Sequence, residues 1–295
     1  MHFTTRLRGL AIGACVIILL SSTIATAQTL TQVVRVNNRA MRVRIAGLER
    51  RKPGQPVVVL ESGSGSSLEA WQPVFRQLSL LAPTLAYDRS GLGKSEFDGE
   101  PPTLPHVAQT LHALLAAAHI PAPYVLVGHS WGGEYIRGFA SLYPHEVAGL
   151  VFLETTDFER TEDEVVREGG RVGAGGAPPI PDDPPAARAE VEQIIRYGSA
   201  GFSDIRALQM PSGVPIAVLI GGAAPRGSPN SDARLFKRLQ IRHQSEWALS
   251  SPAGLLLVSA ESGHQVMTDV PALVVEAVKH VLVHVTISAN SKPAG

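Results

Sequence analysis

The chain has 295 residues, 44% of them hydrophobic, with 26 basic and 26 acidic side chains. That length supports one large α/β domain carrying an insertion, or two small domains. Balanced charge, with no basic stripe and no polybasic tail, argues against nucleic acid or anionic lipid as a partner.

Arg6 and Arg8 precede an apolar run at 10–20, followed by Ala25-Thr26-Ala27. This pattern predicts a secretory signal peptide at 1–27, cleaved before Gln28. The run is short for a bilayer core about 30 Å thick, so no stable membrane insertion is expected after cleavage. The expected product is exported, periplasmic or extracellular. Cys15 is the sole cysteine and lies in this leader. Residues 28–295 therefore offer no disulfide, no thiolate nucleophile and no cysteine-based metal site.

In chain order, 33–36 and 41–46 flank Asn37-Asn38 and read as a hairpin. Residues 57–60 form a short apolar run between Pro56 and a Gly/Ser cluster, a buried strand. A helix is predicted over 68–81 and a strand over 84–87. Residues 104–119 read as an amphipathic helix, with Leu111, Leu114 and Leu115 on one face. A strand at 124–127, a Gly-rich turn and a helix over 134–143 follow, then a strand at 147–153. Further strands are predicted at 216–220 and 255–258, and helices at 232–249 and 271–285. Alternating strands and helices imply parallel pairing with right-handed crossovers. Both faces of such a sheet are covered, so its strands are apolar throughout.

About 60 residues between the strands at 147–153 and 216–220 differ in character. They hold an acidic helical piece at 161–168, a Gly/Pro-rich stretch at 169–185 and a helical piece at 186–197. An insertion that long is usually functional or structured in its own right. The expected division is 28–157 for the first part of the core, 158–210 for a cap, 211–287 for the second part and 288–295 for a flexible tail.

Chemistry is concentrated at Gly128-His129-Ser130-Trp131-Gly132-Gly133, between the strand at 124–127 and the helix at 134–143. Strand, Gly-x-Ser-x-Gly and helix in that order describe a nucleophile elbow. The serine sits on a sharp turn, and side chains at 128 or 132 would collide with their neighbours. The turn also places Ser130 at a helix N-terminus, where unpaired N–H groups favour an oxyanion. Gly63-Ser64-Gly65 does not continue into a dinucleotide-binding pattern, because Leu68 occupies the third glycine's place. His280 and His284 share a helix face, yet no carboxylate completes a metal motif there, and no metal or other cofactor is expected.

Four segments together resemble the α/β-hydrolase fold, over roughly 33–285. They are Leu60-Glu61-Ser62-Gly63-Ser64-Gly65, Tyr87-Asp88-Arg89-Ser90-Gly91-Leu92-Gly93-Lys94-Ser95, Gly128-His129-Ser130-Trp131-Gly132-Gly133 and Ser262-Gly263-His264. The resemblance implies a mostly parallel central sheet with helices on both faces and an inserted cap. It implies a serine esterase-like hydrolase with Ser130 as nucleophile and His264 as base. A serine hydroxyl needs such a base before it attacks. It also implies an oxyanion hole made by the backbone N–H groups of Trp131 and Ser64.

The acid of the triad is less defined. Many relatives carry it just after the strand that here ends at Ile220, but this chain has Gly221-Gly222-Ala223-Ala224 there. Glu154, at the end of the preceding strand, is the first choice, with Asp232 and Asp157 as alternatives. Asp88 and Arg89 are expected to brace the loop beneath the site, while Glu61 and Glu134 could tune the pocket. A serine at 130, rather than the aspartate of haloalkane dehalogenases and most epoxide hydrolases, favours acyl transfer. The expected substrate is a small-molecule carboxylic ester of short or medium acyl length. Amidase, lactonase and acyltransferase activities remain open, as does a non-catalytic binding protein on the same scaffold.

Overall fold

Asn37 and Asn38 both take left-handed backbone angles, φ 48° and 65°, and close a two-residue hairpin. It joins β1 (Thr29–Val36) to β2 (Arg39–Ala46) in antiparallel register, Val36 opposite Arg39. The computed structural model describes residues 29–171, 179–182, 184–223 and 231–290. The signal-peptide segment at 1–27 lies outside the described residues, as do 291–295.

From β2 the chain runs through β3 (Val57–Glu61), a 3-10 turn at Leu68–Trp71 and α1 (Gln72–Leu81). A single helix over 68–81 is thus replaced by a turn and a helix, with Pro73 in the first turn of α1, where its missing N–H costs nothing. Next come β4 (Thr84–Tyr87), α2 (Leu104–Ala117), β5 (Tyr124–His129), α3 (Gly132–Leu142) and β6 (Val147–Leu153). Among the described residues, three helices then precede the next strand: α4 (Glu162–Arg167), α5 (Pro185–Ser199) and α6 (Ser203–Arg206). The chain closes with β7 (Ile216–Gly221), α7 (Ser231–Leu249), β8 (Gly254–Ser259), α8 (Val266–Asp269) and α9 (Pro271–Asn290). Helix α9 extends three residues into the stretch read as a tail.

The strands form one sheet in the order β1-β2-β4-β3-β5-β6-β7-β8. The β1–β2 and β2–β4 pairs are antiparallel, and every pair from β4 to β8 is parallel. Alternation along each strand divides the core in two. Val57, Val59, Leu126, Phe152 and Val218 face a layer built with α2 and α3, where Leu111, Ile136 and Phe139 meet them. Val58, Leu60, Val125, Val127 and Val151 face the opposite layer, where α1 and α9 supply Leu78, Val274 and Val278. Each such side chain stabilises by about 1.5–3 kcal/mol on burial. Two buried faces therefore explain the uninterrupted apolar runs. All the parallel strands point their C-terminal ends the same way, and ligands in open α/β sheets bind outside those ends.

Candidate active site

Ser130 follows β5 directly and takes φ 53°, a left-handed conformation that strains a serine by about 1–3 kcal/mol. Its neighbours explain how the turn closes. A side chain at Gly128 would stand 2.6 Å from Gly132 O. One at Gly132 would overlap Glu61 O and stand 2.6 Å from Ser62 O. The elbow thus rests against the end of β3, and the Ser130 N–H donates to Leu153 O of β6 at 3.1 Å.

The loop after β3 passes close by, since a Cβ on Gly63 would lie 3.2 Å from Ser130 Cβ. The backbone N–H groups of Ser64 and Trp131 donate to no hydrogen bond among the described residues. Ser64, Ser130 and Trp131 line one cleft of about 740 Å³. Its other walls include Phe158, Val191, Ile194 and Phe202, all from the segment between β6 and β7. Trp131 ties that segment to the elbow, its ring edge-on to Phe158 at 5.1 Å and tilted against Tyr197 at 6.0 Å.

His264 lies on the loop between β8 and α8, at the same end of the sheet. That loop is seated on β7: Ala223 N–H donates to Ser262 O at 2.9 Å, and Gly222 N–H to Ser259 O at 2.7 Å. A side chain at Gly221 would overlap Gly263 O, which gives a physical reason for the glycine at this position. Asp269 accepts from Ser262 Oγ at 3.0 Å and from Gly263 N–H at 3.3 Å. The ring of His129, next to Ser130, meets the His264 ring at 4.9 Å between centroids, and its Nε2 donates to His264 O at 2.8 Å. Burial lowers the His129 imidazole to about 4, and the neighbouring His264 adds to that. His129 is therefore neutral near pH 7 and acts as a fixed donor to the His264 backbone.

The His264 side chain reaches solvent, yet the protein around it holds its imidazole below the ordinary histidine value. The Glu154 carboxylate opposes that lowering and the Lys237 ammonium adds to it. Glu154, with φ 45°, follows β6. Its Oε2 accepts from Gly221 N–H at 2.7 Å and its Oε1 from Lys237 Nζ of α7 at 2.6 Å. Among the described residues, no hydrogen bond joins Ser130 Oγ to His264, or His264 to Glu154. The two alternative acids are engaged elsewhere. Asp157 lines the cleft but pairs with His243 Nδ1 at 3.0 Å. Asp232 is buried and accepts from Arg171 Nε at 2.8 Å.

Behind the loop after β3, Arg89 pairs with Glu61 and with Glu190 of α5, both at 2.6 Å. Burial alone would lower the Arg89 guanidinium, but the Glu190 and Glu61 charges outweigh it and hold Arg89 protonated. The Lys237–Glu154 pair and the Arg89–Glu190 pair are long-range contacts between residues 83 and 101 positions apart, and neither has a local sequence signal. Glu134 lies fully buried beneath the elbow, where burial raises its carboxyl to about 7 in spite of Arg137 at 2.9 Å. Among the described residues, no cluster of three His, Cys, Asp or Glu side chains could hold a metal ion, and no helix is long and apolar enough to cross a membrane.

Residues 56–173 match the model of the alpha/beta hydrolase fold family. An AB hydrolase superfamily protein of Gibberella zeae is 29% identical over 170 residues, 52% of this chain and 51% of that protein. The chain spans about half, or less, of the length of the curated relatives it matches. Solved structures agree over most of the chain. A thermophilic esterase from Thermogutta terrifontis superposes with a TM-score of 0.58 at 20% identity, over 87% of this chain and 99% of that one. Carboxylesterase CesB of Bacillus subtilis gives 0.56 at 18% identity, over 86% and 92%.

Proposed function

We propose that this chain, a hydrolase of the α/β-hydrolase fold, cleaves carboxylic esters through an acyl-enzyme on Ser130. One observation carries the reading. The strained Ser130 turn opens on a cleft beside two backbone donors without a partner among the described residues, the N–H groups of Ser64 and Trp131.

In this mechanism His264 turns onto Ser130 Oγ as substrate enters; such hydrogen bonds often tighten only in the Michaelis complex. The hydroxyl oxygen attacks the ester carbonyl carbon while its proton passes to the imidazole. The carbonyl oxygen becomes an oxyanion held by Ser64 and Trp131 N–H, each donor typically worth about 3 kcal/mol in the transition state. The imidazolium returns the proton to the leaving alcohol as the C–O bond breaks. Water, deprotonated by the same imidazole, then releases the carboxylic acid and restores Ser130. Glu154 is the acid that favours the imidazolium. Its two oxygens are anchored by Gly221 and Lys237, and a carboxylate has lone pairs left for the histidine. Phe158, Val191, Ile194 and Phe202 make an apolar wall for an acyl chain of short or medium length. Residues 1–27 direct export, and N-terminal sequencing of secreted protein should find Gln28 first.

The test is a soluble nitrophenyl ester series run beside the matching anilides and a lactone. Turnover should be greatest on short or medium esters, far slower on anilides, and lost in Ser130→Ala. Faster anilide or lactone cleavage would reassign the reaction. Absence of turnover on every member by folded protein would favour a binding protein.

A further inference from the structure

We propose that Glu190, on cap helix α5, is a positioning residue for the oxyanion site, acting through Arg89 to aim the Ser64 N–H. The inference rests on the serine-hydrolase reading and concerns how one of its donors is oriented.

Three charged side chains from separate parts of the chain meet out of solvent: Glu61 at the end of β3, Arg89 after β4, and Glu190. Their exposures are 1%, 4% and 2%. The Arg89 fork spans all of them. Nη1 donates to Glu61 Oε1 and to Ser62 O, both at 2.6 Å. Nη2 donates to Gly63 O at 2.7 Å and to Glu190 Oε2 at 3.0 Å, and Nε donates to Glu190 Oε1 at 2.6 Å. Tyr87 OH completes the cluster on Glu61 Oε2, and Tyr135 lies beneath the guanidinium at 4.9 Å.

The contact with Gly63 O matters most. Gly63 C=O and Ser64 N–H belong to one peptide unit, which is planar and trans. Pulling the carbonyl toward Arg89 points the N–H the opposite way. The next peptide is held as well, because Gly65 N–H donates to Glu190 Oε2 at 2.6 Å. Both flanks of Ser64 are thus tied to one buried charge cluster, and the Ser64 N–H is left without a partner among the described residues. Arg suits this task because its planar fork reaches several acceptors at fixed angles, which an ammonium cannot do.

Helix α5 also builds the cleft. Ala187, Val191 and Ile194 line the cavity that holds Ser130, whereas Glu190 turns into the cluster. The helix that packs against the acyl group is therefore the helix that fixes the donor. A substrate that seats α5 well orients Ser64, and one that displaces α5 loosens it.

Glu190→Gln and Arg89→Lys test this against steady-state turnover of a soluble nitrophenyl ester and inhibition by an alkylboronic acid, which mimics the tetrahedral adduct on serine. In whichever variant folds by circular dichroism, kcat should fall tenfold to a hundredfold with KM nearly unchanged. Boronate affinity should fall in parallel, and the acid limb of the pH profile should stay in place because the base is untouched. A merely structural role would lower the melting temperature and the active fraction without weakening boronate binding in the folded fraction. That outcome, or wild-type kcat in either variant, overturns the proposal. Ser130→Ala separates the two levels. If it keeps full turnover, the serine-hydrolase reading fails. If it is inactive while Glu190→Gln behaves as wild type, only the positioning role fails.

Discussion

Around Ser130 the chain is fixed by backbone crowding, whereas around His264 and Glu154 charge and side-chain hydrogen bonds join the crowding at Gly221. On the first side, Gly128 and Gly132 leave no room for a Cβ, and the turn is pressed between the ends of β3 and β6. On the second, Glu154 is anchored by Lys237, the loop before His264 by Asp269, and the His264 backbone by His129. Sterics leave a local trace, since glycine must stand at particular positions. Ion pairs between distant residues leave none. The proposed nucleophile, which must already be in place, suits the first kind of support, and the proposed base, which must carry a proton between two oxygens, suits the second.

Five substitutions would break or sharpen that contrast. Ser130→Ala should cost about four orders of magnitude or more in kcat/KM while leaving the melting temperature near wild type. Gly132→Ala attacks the crowded side, forcing the elbow off Glu61 O and Ser62 O. Overpacking of this kind costs about 1–3 kcal/mol, so a melting temperature lower by several degrees should accompany a loss of activity of about a hundredfold. A well-folded, active Gly132→Ala enzyme would remove the steric account. On the charged side, Glu154→Gln should lower kcat by about 10²–10⁴, as seen when a triad acid loses its charge. Asp157→Asn and Asp232→Asn should stay within about fivefold, since both carboxylates serve structural pairs. A collapse in Asp232→Asn alone would move the acid there.

The smallest effect is on pH dependence. In the proposed mechanism His264 is a base only when neutral, and its imidazole lies below the ordinary value, so activity should persist to lower pH than an unperturbed histidine allows. Glu154 favours the protonated form, and its neutralisation should move the acid limb further down. Lys237 disfavours that form, so Lys237→Met should move the limb up. A pH profile of kcat/KM over both variants checks the two signs, and shifts in the same direction would contradict the assignment.

The same contrast governs what could be read from the amino acids. The two-faced burial of the strands was legible in their unbroken apolar runs, as was the Asn37-Asn38 hairpin from its turn residues. The tight elbow was legible because Gly128 and Gly132 have no substitute there. Gly221 at the end of β7 and Gly222 after it read, in sequence, as a missing acid. The structure shows Gly221 to be a clearance for the 259–264 loop. Lys237 on Glu154, Glu190 on Arg89 and His129 on the His264 backbone were illegible, because each pairing depends on how elements stack rather than on local spacing. Helix α8 leaves no signal in the sequence, four residues being too few to show a period.

The most direct test of the account is covalent labelling with a fluorophosphonate, read by intact mass and by peptide mapping. The expected result is one adduct per chain, on the peptide containing Ser130, formed far more slowly in His264→Ala. An adduct on another residue of folded, ester-cleaving protein, with Ser130 left free, would contradict it.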